Sequence, residues 1–276
     1  MPEGPEIRRA ADKIAQAIAH QPMKAVFFAF AQLKPYEADL ARYQVEAVET
    51  YGKAMLIRFS NQLNIYSHNQ LYGKWFVRPA HSYPETNRQL RLALHTAKKS
   101  ALLYSASDIE VLHNKEISAH PFIQRIGLDV LRPEATPAAV LARVQTQPFY
   151  RRQFKSLLLD QQFLAGIGNY LRSEILYVAG IHPTQRPLEC TPEQLQKFAT
   201  AAIALPYQSY RYHGITNDLD LANQLKAAGY ARKDYRHWVF GRQGKPCFQC
   251  DRQIIKDSAG GRRYYYCPSC QGSQAE

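Results

Sequence analysis

The chain reads as an α+β protein: one helix, a β-rich first half, a helical second half and a cysteine-bearing tail. From Lys24 to about Leu103 short β-favouring runs follow one another (KAVFFAF, QVEAVETYG, AMLIRFS, LNIYSHN, KWFVRP, LRLALHT, SALLYSAS). Turn formers such as Tyr51-Gly52, Ser60-Asn61 and Tyr72-Gly73 punctuate them, the pattern of an antiparallel sandwich or barrel. After about Asp108 the texture turns helical, and four of the five cysteines fall in the last thirty residues as two C-x-x-C pairs. At 276 residues the chain exceeds the usual single core, so two domains or one plus an appendage are expected.

The first helix is drawn by Ile7, Ala11, Ile14 and Ile18, whose spacings of four, three and four make one apolar stripe from Pro5 to about Ala19. His20-Gln21-Pro22 ends it. The irregular, proline-containing stretch HPFIQRIGLDVLRPEATP reads as a domain joint. Four helical segments follow, TPAAVLARVQT, FKSLLLDQQFL, NYLRSEILYVAG and TPEQLQKFATAAIALP, with Thr or Asn starts and Pro or Gly stops. A basic, aromatic and less regular segment then leads into the tail. There is no internal repeat and no low-complexity segment.

A formal charge of +12 and a pI near 9.5 ask for an anionic partner, nucleic acid ahead of membrane surface or acidic protein. No run approaches the roughly 18 apolar residues of a spanning helix, and the start lacks a basic-then-apolar secretory layout. A soluble, cytoplasmic protein is expected. In the tail, sixteen residues separate Cys247 and Cys250 from Cys267 and Cys270. Each C-x-x-C bends the backbone so that two thiolates reach one tetrahedral ion, and the residues between them form a hairpin. Four thiolates make one structural zinc site with no open position for catalysis. Between the pairs runs SAGGRRYYY, and from Arg232 to Glu276 nine Lys/Arg face four Asp/Glu, a net of +5. Guanidinium forks bind phosphates, so Arg262 or Arg263 is a phosphate contact, while the tyrosines pack the hairpin.

Two further stretches carry chemistry. In LLLDQQFLAGIGNYLRSEIL a glycine-rich turn precedes a helix with Asn169 in the N-cap position, where amides favour a phosphate oxygen. At the chain start, MPEGPE has two readings. Pro5, Glu3 and Glu6 suit the first turn of a helix, with Pro2 incidental; alternatively, removal of Met1 leaves Pro2 as a terminal secondary amine.

MPEGPEI, GIGNYLRSEIL and C-x-x-C-x16-C-x-x-C with GGRRYYYCPSCQ, taken together and in this order along the whole chain, resemble the bacterial formamidopyrimidine-DNA glycosylase and endonuclease VIII family of DNA glycosylase/AP lyases. MPEGPEIRRAADK and SHNQLYGKW look like the endonuclease VIII branch rather than the oxidised-purine branch. The resemblance implies an N-terminal β-sandwich with one long helix (residues 1–128), a helix-two-turn-helix domain (129–236) and a four-cysteine zinc finger (237–272). It also implies a monomer acting on double-stranded DNA with oxidised bases or abasic sites, held between the two halves, in the bacterial cytoplasm at the nucleoid. The activity implied is base-excision repair: excision of oxidised pyrimidines, then β,δ-elimination at the abasic site.

Residue by residue, the resemblance makes Pro2 the nucleophile, Glu3 the proton donor to the sugar, and Lys53 a proton donor and phosphate contact, with Glu6 in support. It selects Arg262, five residues before Cys267, as the essential hairpin arginine and leaves Arg263 auxiliary. Gln70, Leu71 and Tyr72 resemble the loop that fills the void when a nucleotide is flipped out. On its own that stretch reads equally as a strand end with Leu71 and Tyr72 in the core, and Lys53 reads as a lysine projecting from a hairpin tip. Arg125 and Asn169 match backbone-gripping positions. His68, His213 and His237 read as hydrogen-bonded or surface histidines, Asp160 and Glu174 as capping or positioning carboxylates. The rivals are an oxidised-purine (formamidopyrimidine/8-oxoguanine) glycosylase of the same family, and a non-catalytic zinc-ribbon DNA-binding protein.

Overall fold

The structure, a computed structural model, describes residues 2–272. The chain divides into two compact units: one holds Pro2 and Glu6–Arg125, the other Glu3–Pro5 and the chain from Ile126 onward.

In the first unit helix α1 (Gly4–Ile18) precedes strands β1 (Met23–Phe28), β2 (Val45–Tyr51), β3 (Ala54–Phe59), β4 (Leu63–His68), β5 (Lys74–Pro79), β6 (Leu90–Thr96), β7 (Lys99–Tyr104) and β8 (Asp108–His113). They form two antiparallel four-stranded sheets, ordered β2-β3-β4-β8 and β1-β6-β7-β5. Strand alternation builds the core. Met55, Ile57 and Phe59 of β3 join Leu92, Leu94, Ala101 and Leu103 in one cluster, to which α1 adds the predicted stripe Ile7, Ala11, Ile14 and Ile18. The opposite face of β3, Ala54 and Leu56, packs on Tyr66 and Ile117, which is why its sequence is a continuous apolar run. A short helix α2 (Glu37–Leu40) lies between β1 and β2, and α3 (Asn114–Ile117) and α4 (Pro121–Arg125) follow β8.

Strand β8 departs from the expected helical texture. Its inward Ile109 and Val111 alternate with Asp108 and Glu110, residue types that disfavour strands, and its pairing with β4 decides the matter.

The second unit is mainly helical. β9 (Leu128–Asp129) and β10 (Leu164–Ala165) pair in parallel, and between them lie α5 (Pro137–Val144), α6 (Gln147–Tyr150) and α7 (Phe154–Leu157). The central helix α8 (Asn169–Ala179) buries nine of its eleven residues. α9 (Pro192–Arg211) starts in a capping box, with the Thr191 hydroxyl accepting from the Gln194 amide. Two helix ends differ from expectation. α7 stops after one turn, because the chain bends at Asp160, whose carboxylate accepts from the Gln162 amide, to bury Phe163 and Leu164. α9 runs on through Pro206, where burial of Leu205, Pro206 and Ser209 offsets a cost of about 3 kcal/mol for an interior proline. The less regular segment contains α10 (Leu219–Ala227) and α11 (Arg232–Tyr235).

In the tail, β11 (Ile255–Ala259) and β12 (Arg262–Tyr266) form a hairpin. Its two turn residues, Gly260 and Gly261, have φ of 55° and 72°, a two-residue turn that glycine adopts without strain. Tyr264 and Tyr265 are buried, as the packing role requires, and Tyr265 joins Tyr177 of α8 in a cluster with Cys247 and Cys267.

Phe198 of α9 is fully buried 4.9 Å from the ring of Phe154. Phe198→Ala is expected to cost the second unit about 3–5 kcal/mol in denaturant unfolding; a loss below about 1 kcal/mol would contradict its place in that core.

Candidate active site and metal centre

The N-terminal end of α8 is closed by a side chain from the start of the chain. The Glu3 carboxylate, 2% exposed, accepts hydrogen bonds from the amides of Gly168 (2.7 Å), Tyr170 (2.8 Å) and Leu171 (3.3 Å). A helix N-terminus presents unpaired amides and partial positive charge, so an anion is stabilised there. The sequence pointed to a phosphate oxygen at these amides; the structure gives them to Glu3. Gly4 adds a bond from its amide to the Gly166 carbonyl (2.8 Å), and Gln161 braces the turn by accepting from the Gly166 amide and donating to the Ile167 carbonyl (3.0 Å each). Position 168 must be glycine: a Cβ there would sit 2.5 Å from the Glu3 carboxyl carbon. Gly168 is therefore the cap and Asn169 the first helical residue, a correction to the expected N-cap.

Two buried charged groups on α8 hold the tail. Arg172 donates to the carbonyls of Arg262 (3.2 Å), Arg263 (3.0 Å) and Lys155, and lies over the Tyr264 ring. Burial pulls its pKa down to about 10, with the charge of Glu3 opposing the shift. Arg262 and Arg263 are themselves exposed, so Arg172 fixes their backbone and not their guanidiniums, of which that of Arg263 lies 6.0 Å from the centre of the Phe240 ring. Glu174, fully buried, accepts from the amides of Trp238 (2.8 Å), Val239 (2.9 Å) and Phe240 (2.9 Å) and from the Thr216 hydroxyl (2.6 Å). Burial pushes its carboxyl up and these four bonds pull against that. Since Thr216 spends its proton on Glu174, His237 Nδ1 at 2.7 Å is the donor to Thr216. Burial holds His237 well below its usual pKa, hence neutral at pH 7. Glu174 thus takes the positioning role among those read for it, holding a non-helical segment, and Asp160 pairs with Arg152 at 2.7 Å. Arg172 escaped sequence reading; the available signal was an arginine and a glutamate in a helix whose apolar residues leave no polar stripe.

In the first unit, Gln70, Leu71 and Tyr72 form the loop between β4 and β5, with Leu71 63% and Tyr72 68% exposed, so the core-packing alternative fails. Gln70 takes φ 46°, its amide donates to His68 Nδ1, and its side chain accepts from the Ser107 hydroxyl (3.0 Å each). Lys53 does follow the Tyr51-Gly52 turn between β2 and β3, but it is only 5% exposed and Gly52 beside it is buried too, so the expectation of a projecting ammonium is corrected. Pro2 is half-buried, Glu6 pairs with Arg9 at 2.7 Å in the first turn of α1, and exposed Arg125 at the end of α4 bonds the Pro121 carbonyl.

The Sγ atoms of Cys247, Cys250, Cys267 and Cys270 all lie within 4.8 Å of one another, with separations of 3.4 Å for Cys250–Cys267 and 3.8 Å for Cys247–Cys270. A tetrahedral thiolate site with bonds of about 2.3 Å has edges of about 3.8 Å, so these residues fit a metal ion. The Tyr177 hydroxyl lies 3.2 Å from Cys247 Sγ, where it would donate to a thiolate.

Residues 1–107 match the formamidopyrimidine-DNA glycosylase N-terminal domain, and residues 126–217 the H2TH domain of the same glycosylase. The chain belongs to the formamidopyrimidine-DNA glycosylase family. It is 47% identical over 271 residues to Endonuclease 8 of Escherichia coli strain K12 / DH10B, covering 98% of this chain and 100% of that protein. Endonuclease 8 of Shigella sonnei strain Ss046 is 46% identical over the same length. Among solved structures, the complex of wild-type Lactococcus lactis Fpg (MutM) with an oxidized pyrimidine containing DNA shares the fold at TM-score 0.81 and 18% identity, covering 99% of this chain and 100% of that one. The fold is also shared, at TM-score 0.80 and 16% identity, with L. lactis Fpg bound non-covalently to AP-site DNA, over 98% of this chain and 100% of that one.

Gly168→Ala is expected to lower the melting temperature by driving its new methyl into Glu3, and Glu3→Ala is expected to relieve most of that penalty. Thermal melts of the two variants and the double variant should show coupling of about 1 kcal/mol or more; strict additivity would contradict the contact. Stripping metal with a chelator is expected to lower the melting temperature of the second unit and to expose four further reactive thiols, which a thiol-reagent titration would count.

Proposed function

We propose that this protein is a bifunctional DNA glycosylase of base-excision repair, which removes oxidised pyrimidines from double-stranded DNA and then cuts the strand at the abasic site. The observation that carries this reading is the immobilised Glu3 carboxylate, joined by one peptide bond to Pro2. Membership of the family and the 47% identity to Endonuclease 8 support the substrate class.

The chemistry follows from these groups once Met1 is removed. An α-amino group titrates near 7.7–8, roughly, against about 10.4 for lysine, so a terminal proline amine is substantially free base at neutral pH. The Glu3 carboxylate, one peptide bond away, accepts the proton of the Pro2 ammonium. The freed amine attacks C1' of the sugar as the damaged base departs as its anion, and the base takes up the remaining N–H proton of the attacking amine. Glu3 then returns that proton to the ring oxygen as the C1'–O4' bond breaks. The product is an iminium, which stays cationic because the amine is secondary. It acidifies the C2' hydrogen, the 3' phosphate leaves by β-elimination, and the 5' phosphate follows by δ-elimination.

Lys53 supplies a proton and a phosphate contact, and Arg262 grips the phosphate beside the reacting sugar with Arg263 as its auxiliary. Glu6 orients the chain start. Gln70 pairs with the orphaned base while Leu71 and Tyr72 wedge into the stack, and Arg125 and Asn169 hold flanking phosphates. Cys247, Cys250, Cys267 and Cys270 hold one zinc ion, whose role is to fix the hairpin that carries Arg262. The protein acts as a cytoplasmic monomer, with a catalytic domain over 1–128, a helix-two-turn-helix domain over 129–236 and a zinc finger over 237–272.

Borohydride treatment of the Met1-processed protein with abasic-site DNA is expected to give a covalent adduct that disappears in Pro2→Gly. A retained N-terminal methionine should also abolish it while sparing DNA binding, and absence of any adduct with the processed wild type would sink the mechanism. Faster excision of thymine glycol than of 8-oxoguanine opposite cytosine is expected; the reverse order would assign the oxidised-purine branch.

A further inference from the structure

Beside the Gln70–Tyr72 loop, wholly within the first unit, lies an open cavity of about 660 Å³ lined by Tyr72, Ser105 and, from the chain before and into β6, Thr86, Asn87, Arg88, Gln89 and Arg91. Its chemistry is one-sided. Its lining residues carry two guanidiniums, two carboxamides and three hydroxyls, and among the described residues no carboxylate lines it. Neither arginine forms an ion pair among the described residues. Arg88 spends one N–H on the Tyr72 carbonyl, and the rest of its fork is exposed. Arg91 lies over the Phe30 ring at 5.2 Å, donates to the Gln89 carboxamide at 2.6 Å, and keeps a buried Nε without a partner among the described residues. Two uncompensated cations that share a polar cavity repel each other, and an anion between them relieves that repulsion. A guanidinium fork matches the paired oxygens of a phosphodiester, and Thr86 and Asn87 add neutral donors.

The position narrows the ligand. The Arg88 bond to the Tyr72 carbonyl ties the cavity to a loop whose two apolar side chains point into solvent. At its other end the same loop is pinned by Ser107 and His68 to Gln70. A wedge of this kind, inserted between bases, brings the sugar-phosphate backbone against the residues beneath it. We propose that Arg88 and Arg91 form a seat for one backbone phosphodiester of the DNA, next to the point where Leu71 and Tyr72 enter the stack. Arg88 joins that phosphate to the main chain of the loop, so that seating the backbone and inserting the wedge are one event. This inference rests on the DNA-repair reading above.

The test is a scan with single methylphosphonates, which neutralise one phosphate at a time, along both strands of a duplex with an abasic-site analogue. Wild type is expected to lose roughly tenfold in affinity at one position near the lesion, and Arg88→Gln to bind about tenfold more weakly while becoming insensitive to that position. The salt slope of log K should be shallower in Arg88→Gln by about 0.9, the increment for one phosphate. Arg88→Lys, which keeps the charge, should retain the slope, and melting temperatures of both variants check folding.

A scan identical in Arg88→Gln and wild type, or an unchanged salt slope, overturns the seat. So does an unchanged slope combined with slower base excision but normal cleavage of preformed abasic sites, which would assign Arg88 to holding Tyr72 alone. Inorganic phosphate raising the melting temperature in an Arg88-dependent way, with the DNA scan unaltered, would assign the cavity to a free anion and overturn it as well. If wild type itself neither binds lesion DNA nor forms the borohydride adduct, the repair reading fails instead.

Discussion

A carboxylate at position 3 closes the start of a helix that begins more than 160 residues later, and much else in the second unit is arranged around that bond set. Three amides converge on one side chain because a helix N-terminus has donors to spare and a fixed partial positive charge. Charge-assisted hydrogen bonds of this kind are roughly twice as strong as neutral ones. The arrangement demands glycine at 168, a braced turn at 165–168 and a chain start drawn in along the Gly4–Gly166 bond. In return the group next to Pro2 is held in one position. For the proton transfer proposed for Glu3, preorganisation of this kind removes the entropy of aligning donor and reacting centre.

The same helix carries the second constraint. α8 buries Arg172 and Glu174 completely, and neither is placed there for packing. Arg172 gathers the carbonyls of both hairpin arginines, and Glu174 gathers three consecutive amides leading into the tail. Removing one partner of such a buried charged set costs about 3–5 kcal/mol, because the other groups are left without compensation. Tyr177 of the same helix also touches Cys247, one of the four clustered cysteines. One helix therefore receives Glu3 at its start and, through its side chains, sets the backbone beneath Arg262. The groups proposed for proton transfer and for phosphate binding in this unit share a single rigid support.

Much of this was legible in the sequence. Apolar alternation located seven of the eight sandwich strands, and the α1 stripe of Ile7, Ala11, Ile14 and Ile18 is the stripe that enters the core. The cysteine spacing and the glycine pair anticipated the hairpin, since both rules act over a few residues. β8 was missed because its acidic residues mask a pattern that only pairing with β4 stabilises. Pro206 inside α9 and the early end of α7 show tertiary burial overruling local preference. Leu71 and Tyr72 could have gone either way, because an apolar pair after a strand has the same local signature in a core and on an exposed loop.

The sequence by itself determined most of the elements and the cysteine ribbon, because helix periodicity, strand alternation, turn chemistry and ligand spacing are all encoded in neighbouring residues. The Pro2–Glu3 pair belongs here too, being held together by a peptide bond. Only the tertiary structure decided where each charge is spent. It gave the α8 amides to Glu3, moved the cap from Asn169 to Gly168, buried Lys53 and set Arg172 beneath the hairpin. Burial and hydrogen-bond partners come from residues far apart in the chain, and for a charged group they decide between a solvated surface residue and a part of the site.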